Sequence, residues 1–385
     1  MDKLWDIVIV GGGLGGLSLA VELASPEFAS LSILVLEKRK AYRRDRTWSY
    51  WTSQPHRYSH LERRRWRQWA VSSGSEIHTQ SSQTRSYASL DADAFYREAS
   101  RLIANASHIT LHTNVDVRAI EPANASESLI FLAQGMPIRA RTVFDARPDP
   151  HLASGTLVQQ FVGWEVSLQD NVFDANQVKL MAFSPSPNGL NFMYVLPYSS
   201  RCALVESTWV SPLSYTPDYV TQLKRYMADT YPGAAYQITY REHGILSLDV
   251  ARAPSRHAIA LGRRGGTLRT STGFAFLDTI THAAQVARSL SQALSAGKQG
   301  QWQPVVFKRS AVDGWMDAVF LQVLARDWQR APDYFLHIFK SVAGDDTLDF
   351  LSGRATGLQR LRVMRSLPAL PFMRAAFSRL LGSAW

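Results

Sequence analysis

The chain has 385 residues, a single cysteine and a net charge of +10, and 46% of its residues are hydrophobic. The length allows two or three domains of about 100–200 residues each, the apolar content argues against disorder, and Cys202 alone excludes a disulfide framework or a cysteine-based metal site. No run reaches the roughly 18 apolar residues of a spanning helix, and no helix-turn-helix, zinc-finger or single-strand-binding signature accompanies the positive charge, so neither nucleic acid nor a metal is expected as a partner.

Asp6-Ile7-Val8-Ile9-Val10 reads as a buried strand running into Gly11-Gly12-Gly13-Leu14-Gly15-Gly16. Gly11, Gly13 and Gly16 have dinucleotide-turn spacing. The first permits a sharp turn, the second lets backbone N–H groups approach a pyrophosphate, and the third lets helix pack on strand. The helix N-terminus adds a positive dipole end. A second buried strand over 31–36 ends in Glu37, where a carboxylate accepts from both ribose hydroxyls. The apolar run is short, follows Asp6 and serves the turn, so it is not expected to be a signal peptide, and a cytoplasmic setting is expected.

Residues 41–85 are polar and aromatic and form an excursion beside the nucleotide. Within them Arg63-Arg64-Arg65-Trp66-Arg67 reads as a solvated face. Helical spacing over 90–106 (Phe95, Ala99, Leu102, Ile103) is followed by strands at 109–113 and 115–120. Residues 142–148, which include Asp145, read as a short buried strand ending in a tight turn. From 157 to 250 the pattern becomes alternation with turn signals between runs, predicting an inserted antiparallel sheet that roofs a substrate cavity. Residues 257–295 read as strand, glycine-rich loop and helix, and the chain beyond 300 as mostly helical. The expected class is α/β: a Rossmann-type nucleotide-binding domain in parts (1–85, 86–156 and 251–300), an inserted sheet (157–250) and a helical C-terminal region (301–385).

Several segments together resemble the flavin-dependent lycopene cyclase family over nearly the whole chain. Thr47-Trp48 is similar to its His-Thr-Trp motif, with Arg46 in place of the His. Phe161-Val162-Gly163-Trp164-Glu165-Val166 resembles its F-V-G-W-x-V stretch. Phe192-Met193-Tyr194-Val195-Leu196-Pro197 and Leu204-Val205-Glu206-Ser207-Thr208 resemble its F-x-Y-x-L-P and L-x-E-x-T pair. Glu242-His243-Gly244-Ile245, the loop Gly262–Gly266 with Ser271-Thr272-Gly273-Phe274, Met316–Leu324 and Phe350-Leu351-Ser352-Gly353 resemble four further motifs in the family's order. Departures include Ala182 after Met181 where the family often carries Asp, and Leu246-Ser247 in place of Ile-Pro. The first is expected to remove a carboxylate from the cavity.

The resemblance implies a two-dinucleotide-type flavoprotein fold and FAD held by Gly11, Gly13, Gly16, Glu37, Arg46, Thr47, Trp48, Asp145, Gly262, Gly265, Gly266, Ser271, Thr272 and Gly273. It implies a non-redox reaction on lycopene or a related carotenoid: alkene protonation, attack by the neighbouring double bond, and loss of a ring proton to give β-type rings. FAD is then used reduced, with NADPH as external reductant. Such chemistry needs a strong positioned acid, a dry electron-rich cavity and a base. Glu206 closes an apolar run, where desolvation raises a carboxyl pKa. Glu242 is a second carboxylate in the same region, alternatively an ion-pair partner for an arginine. Asp317, in an apolar helix, is catalytic or serves in a cap or ion pair. Trp48, Trp51, Trp164, Phe192, Tyr194 and Phe274 are candidates to shield a cation and line the cavity. Near the C-terminus Phe372, Met373, Ala376, Phe377, Leu380 and Leu381 share a helical face, with Arg360, Arg362, Arg365, Arg374 and Arg379 around it. Such a helix either lies on an anionic inner-membrane surface or packs on the protein's own core. A same-fold cyclase of another prenylated compound, or an FAD-dependent monooxygenase, are the alternatives. The absence of an acid in Leu261-Gly262-Arg263-Arg264 counts against the latter.

Overall fold

The Val/Ile run after Asp6 forms the centre of a parallel sheet. Leu4–Val10 pairs in parallel with Ile33–Leu36 on one side and Ile138–Asp145 on the other, and Ile33–Leu36 continues to Ile109–His112. A hairpin of Val117–Pro122 and Ser128–Leu132 extends the far edge antiparallel. Such unbroken apolar strands suit a sheet covered on both faces. Helices Leu14–Glu22, Ala92–Ala104 and Phe276–Ser295 share one core with Ile7, Ile9, Ile33 and Val35, while Val8, Val10, Leu34 and Leu36 pack with Val117 and Ile130. The computed structural model describes residues 3–148, 157–248 and 257–381, and the junctions expected near 156 and 250 lie outside the described residues.

The inserted sheet is seven-stranded, in the order Tyr236–Ser247, Leu157–Leu168, Cys202–Pro212, Leu190–Pro197, Gln177–Ser184, Gln68–Ser73, Glu76–Ser81. It is wider than expected from 157–250. The last two strands come from the early polar excursion, and Gln68–Ser73 joins Gln177–Ser184 in parallel. One face carries helix Tyr219–Thr230 over Trp164, Val166, Met193 and Val205. The opposite face packs against the C-terminal helices Ala311–Arg326, Ala331–Ser341 and Gly344–Leu351.

Between the two large sheets lies a three-stranded cap, with Ser86–Asp91 flanked by Thr47–Thr52 and Arg64–Trp66. Here part of the arginine run proves structural. Arg63 and Arg44 grip Glu165 of the inserted sheet at 2.9 and 2.7 Å, Arg64 donates to the Tyr198 and Ala175 carbonyls, and Trp66 is buried. Those guanidinium groups satisfy a buried carboxylate, so Arg63 and Arg64 are structural, while Arg65 and Arg67 remain exposed as a solvated face would be. Burial raises the Glu165 carboxyl, but bonds from Arg63 and Arg44 outweigh it and hold it down at about 2.

Candidate active site

Strand alternation places four positions in one row. Gly163 faces Glu206 on one neighbouring strand and Glu242 on the other, and Glu206 in turn faces Tyr194. Directly opposed residues share a face, so both carboxyls and the phenol rise from the same side, with Gly163 between the acids. A strand spacing of about 4.8 Å sets the two glutamate backbones roughly 10 Å apart. A side chain at the middle position would close this gap: a Cβ on Gly163 would lie 3.1 Å from Glu242 Cγ and 3.2 Å from Leu204 Cδ1.

Glu206 and Glu242 are only 7% and 4% exposed, and no ion pair reaches either among the described residues. Glu206 accepts one side-chain bond, from Thr208 Oγ1 at 2.6 Å. Glu242 accepts two on Oε2, from Thr47 Oγ1 at 2.9 Å and the Tyr240 hydroxyl at 3.1 Å. Burial, reinforced by the charge of Glu242, pushes the Glu206 carboxyl up to about 8 against the Thr208 bond. Burial also pushes Glu242 up to about 7, with Thr47, Tyr240 and the Arg44 charge pulling the other way. Neighbouring carboxyls in unlike environments divide into acid and base. Glu206, with fewer donors, holds its proton, and Glu242 is the better carboxylate.

The cap supplies aromatic surface over this face. Tyr194 donates to the Tyr87 hydroxyl at 2.9 Å, and the Tyr87 ring centroid lies 4.4 Å from Trp51 and 6.2 Å from Phe274. Phe192 faces Thr208, two residues from Glu206, and so shares its side of the sheet. Burial raises both phenols, which stay neutral. The site is thus buried, rich in π-faces and free of ion pairs to its two acids among the described residues, and ring quadrupoles there favour a positive centre.

At the other end, Gly11, Gly13 and Gly16 stand where the first strand hands over to helix Leu14–Glu22, whose first turn holds no acidic side chain and no side-chain cap. Glu37 accepts the Gly12 N–H at 2.7 Å and Arg39 Nε at 3.0 Å, closing the turn. Gly262, at φ +61°, approaches so closely that a Cβ on Gly15 would sit 3.0 Å from its Cα. The Tyr42 hydroxyl is buried beside Gly12 without a partner. Free helix N–H groups, a cradle that a side chain would fill and an orphaned donor together fit a dinucleotide phosphate. Gly265 and Gly266 continue the loop after Ile259–Ala260. Arg269 ties the loop that follows: it donates to Asp317 through Nη2 at 2.8 Å and to the Phe350 carbonyl, and Ser271 donates to Asp317 at 2.7 Å. The Gly273 N–H donates to the Arg269 carbonyl, and the Phe274 N–H to Thr272 Oγ1.

Several expected residues sit elsewhere. Trp164 faces Val205 and packs under helix Tyr219–Thr230, because a one-residue step along a strand reverses the side-chain face. Ala182 packs in that same cluster, away from Glu206, so its departure from Asp removes nothing from the carboxylate face. Asp317 is held by Arg269 and Ser271 and is a loop anchor, not a third member of the acid pair. Thr47 donates through its hydroxyl to Glu242. Arg46 pairs with Asp45 and is half exposed, and Trp48 packs against Phe95, Tyr96 and Phe276. Asp145 is buried in ion pairs with Arg147 and Arg264. In the C-terminal helix Ala369–Leu380, Phe372 and Ala376 pack inward while Met373, Phe377 and Leu380 are exposed, dividing the expected stripe. Tyr87, Tyr240 and Arg269 carry no motif signal of their own, and Thr208 enters only as the last residue of the L-x-E-x-T-like segment. Two-residue spacing from Glu206 and Glu242 marks Thr208 and Tyr240.

The family described as lycopene cyclase protein matches residues 6–377. A lycopene beta-cyclase from Paracoccus sp. (strain N81106 / MBIC 01143) is 26% identical over 95% of each chain. Solved structures of similar fold include a geranylgeranyl bacteriochlorophyll reductase-like protein from Thermoplasma acidophilum (15% identity, TM-score 0.62, 97% of this chain and 99% of that one). A flavin-dependent brominase is also similar in fold (12%, 0.63, 99% and 100%).

Proposed function

The chain belongs to the lycopene cyclase protein family, and from that premise we propose that it closes β-type rings on lycopene or a closely related carotenoid by proton transfer without net redox change. One observation carries this reading: two buried carboxyls, raised to about 8 and about 7, flank Gly163 on an aromatic-lined face. The 26% identical beta-cyclase supports the substrate class and ring type.

Glu206 is the acid. Its proton goes to a terminal alkene carbon of the polyene, leaving a tertiary cation that the neighbouring double bond attacks to close the ring. Desolvation keeps this acid protonated at neutral pH, and the charge left on its carboxylate is offset by the cation that forms beside it. Glu242, held by Thr47 and Tyr240, offers a carboxylate to the positive charge and takes the ring proton. Trp51, Tyr87, Phe192, Tyr194 and Phe274 exclude water and present π-faces to the cation. Gly11, Gly13, Gly16, Glu37, Gly262, Gly265 and Gly266 would hold FAD. Bound and reduced, with NADPH as its external reductant, that cofactor supplies an electron-rich surface for a developing cation.

Substrate access fits a lipid-dissolved polyene. Among the described residues no helix is long and apolar enough to cross a membrane. Leu370, Met373, Phe377 and Leu380 on Ala369–Leu380, with Leu358, Leu361 and Met364 on Gly357–Ser366, expose an apolar face interleaved with Arg365, Arg374 and Arg379. That face suits the anionic inner surface of a membrane. The test is an anaerobic assay with photoreduced flavin and lycopene in liposomes, comparing the parent chain with Glu206→Gln. Ring products from the parent, and loss of cyclisation with flavin absorbance retained in the variant, are expected. An oxygenated product supports the monooxygenase alternative. Untouched lycopene beside cyclisation of another polyprenyl compound supports the second substrate class.

A further inference from the structure

Tyr240, a donor to Glu242, carries a cation on its ring. It lies two residues before Glu242 on Tyr236–Ser247 and directly opposes Glu165 on Leu157–Leu168, just as Glu242 opposes Gly163. Both pairs therefore rise from the same face. Arg44 reaches this face from the segment between Ile33–Leu36 and the cap. Its Nη2 donates to Glu165 at 2.7 Å and pairs with Asp91 at 3.1 Å, and its guanidinium carbon lies 3.7 Å over the Tyr240 ring centroid. The buried Nε of Arg44 has no hydrogen-bond acceptor. The side chain is thus seated by one edge and by the ring, without a full set of in-plane bonds.

A cation on the face of a phenol draws charge from the ring and makes its O–H a stronger donor. That O–H ends on Glu242 Oε2 at 3.1 Å, so the charge of Arg44 favours the carboxylate with no ion pair between them. Burial and the charge of Glu242 push the Tyr240 phenol up, against the pull of Arg44, and it stays a neutral donor. The other groups facing Glu242 are Thr47 and Asp91 of the cap, Glu206 across Gly163, and Tyr198, while Asp45 faces the Tyr240 phenol. Asp91 is itself paired with Arg44 and Arg63. Glu206 takes its bond from Thr208, which has no ring for a cation to act on. We propose that Arg44 is a positioning residue that acts through Tyr240 to make Glu242, and not Glu206, the base. The inference rests on the proton-transfer reading of the site and adds the group that sets its direction.

Infrared titration of carboxyl bands in FAD-loaded protein without polyene reads Glu242 directly, as the band missing from Glu242→Gln. Arg44→Met and Tyr240→Phe are each expected to raise its midpoint by about one pH unit, the scale of one hydrogen bond to a charged group. The double variant is expected to shift no further than Tyr240→Phe, because both changes break one route. Arg44→Lys, which keeps a cation over the ring, is expected to restore the parent midpoint. Arg63 still holds Glu165 in each variant, so the fold keeps its link there. In the cyclisation assay the acid limb of kcat/KM against pH should move up with the midpoint, while the alkaline limb set by Glu206 stays in place. Unmoved midpoints, additive shifts in the double variant, or both limbs moving together would overturn the proposal. Midpoints that move as expected in a protein that closes no rings would support control of Glu242 by Arg44 and count against the ring-closing reading.

Discussion

Glu206 and Glu242 stand on one face of one sheet, separated by the single strand that carries Gly163. Among the described residues neither is in an ion pair, and their donors are unequal: one hydroxyl for Glu206, two for Glu242. That inequality is what the proposed division into acid and base rests on.

Gly163→Ala tests the spacing. The added methyl meets Glu242 Cγ at 3.1 Å and Leu204 Cδ1 at 3.2 Å, and neighbours on both sides must give way. Overpacking of this kind costs about 1–3 kcal/mol. The expected result is a modest fall in melting temperature, retained flavin absorbance and a much larger loss of ring formation.

Stability should fall as pH rises through the site. Both carboxyls have folded-state values above the ordinary glutamate value of 4.5, so between that value and about 8 the native state binds more protons than the unfolded one. In that window stability decreases with pH, by up to ~1.4 kcal/mol per pH unit for each shifted group. Glu206→Gln should flatten the slope measured by denaturant unfolding and make the variant more stable than the parent at pH 8, although inactive. An unchanged slope would show that Glu206 is not raised.

The loop over 269–274 depends on Asp317. Removing that charge by Asp317→Asn leaves Arg269, 2% exposed, without its partner, which costs about 3–5 kcal/mol. Thermal unfolding should show that loss, and gel filtration should show easier release of flavin. Replacing the pair by Met and Leu should recover most of the stability.

Tyr87→Phe deletes the acceptor of the Tyr194 hydroxyl, which keeps Ser49 as a partner, so the cost is that of one hydrogen bond, about 0.5–1.5 kcal/mol. If the phenol pair orients the cation, chromatography of the products should show a changed ratio of ring isomers, beyond the change in rate.

Flotation on anionic liposomes tests the C-terminal face. Phe377→Asp with Leu380→Asp should reduce recovery with the vesicles, and Phe372→Asp should instead destabilise the fold, because that ring packs on Phe320 and Tyr334.

Much of the fold is local and therefore legible. The nucleotide sheet announces itself through unbroken apolar runs and a glycine turn, and Glu206 through the apolar residues before it. What escaped reading is non-local. Gln68–Ser73 looks like part of a polar excursion because its partner lies across a parallel junction over a hundred residues away. Trp164 and Glu206 sit in adjacent motifs, yet only the pairing of Gly163 with Glu206 shows that Trp164 faces the other way. Asp317 reads as a carboxylate in an apolar helix until the fold brings Arg269 to it. The role of Tyr87 depends on two sheets meeting, and no spacing within its own strand encodes that.

The central claim is proton transfer to the substrate with no net redox change, and solvent deuterium tests it most directly. Lycopene in liposomes, incubated anaerobically in D₂O with the reduced-flavin protein, should yield a product isomeric with lycopene apart from one deuterium per ring formed, and Glu206→Gln should yield none. A ring product lacking deuterium, or one carrying oxygen or a changed hydrogen count, would contradict the account.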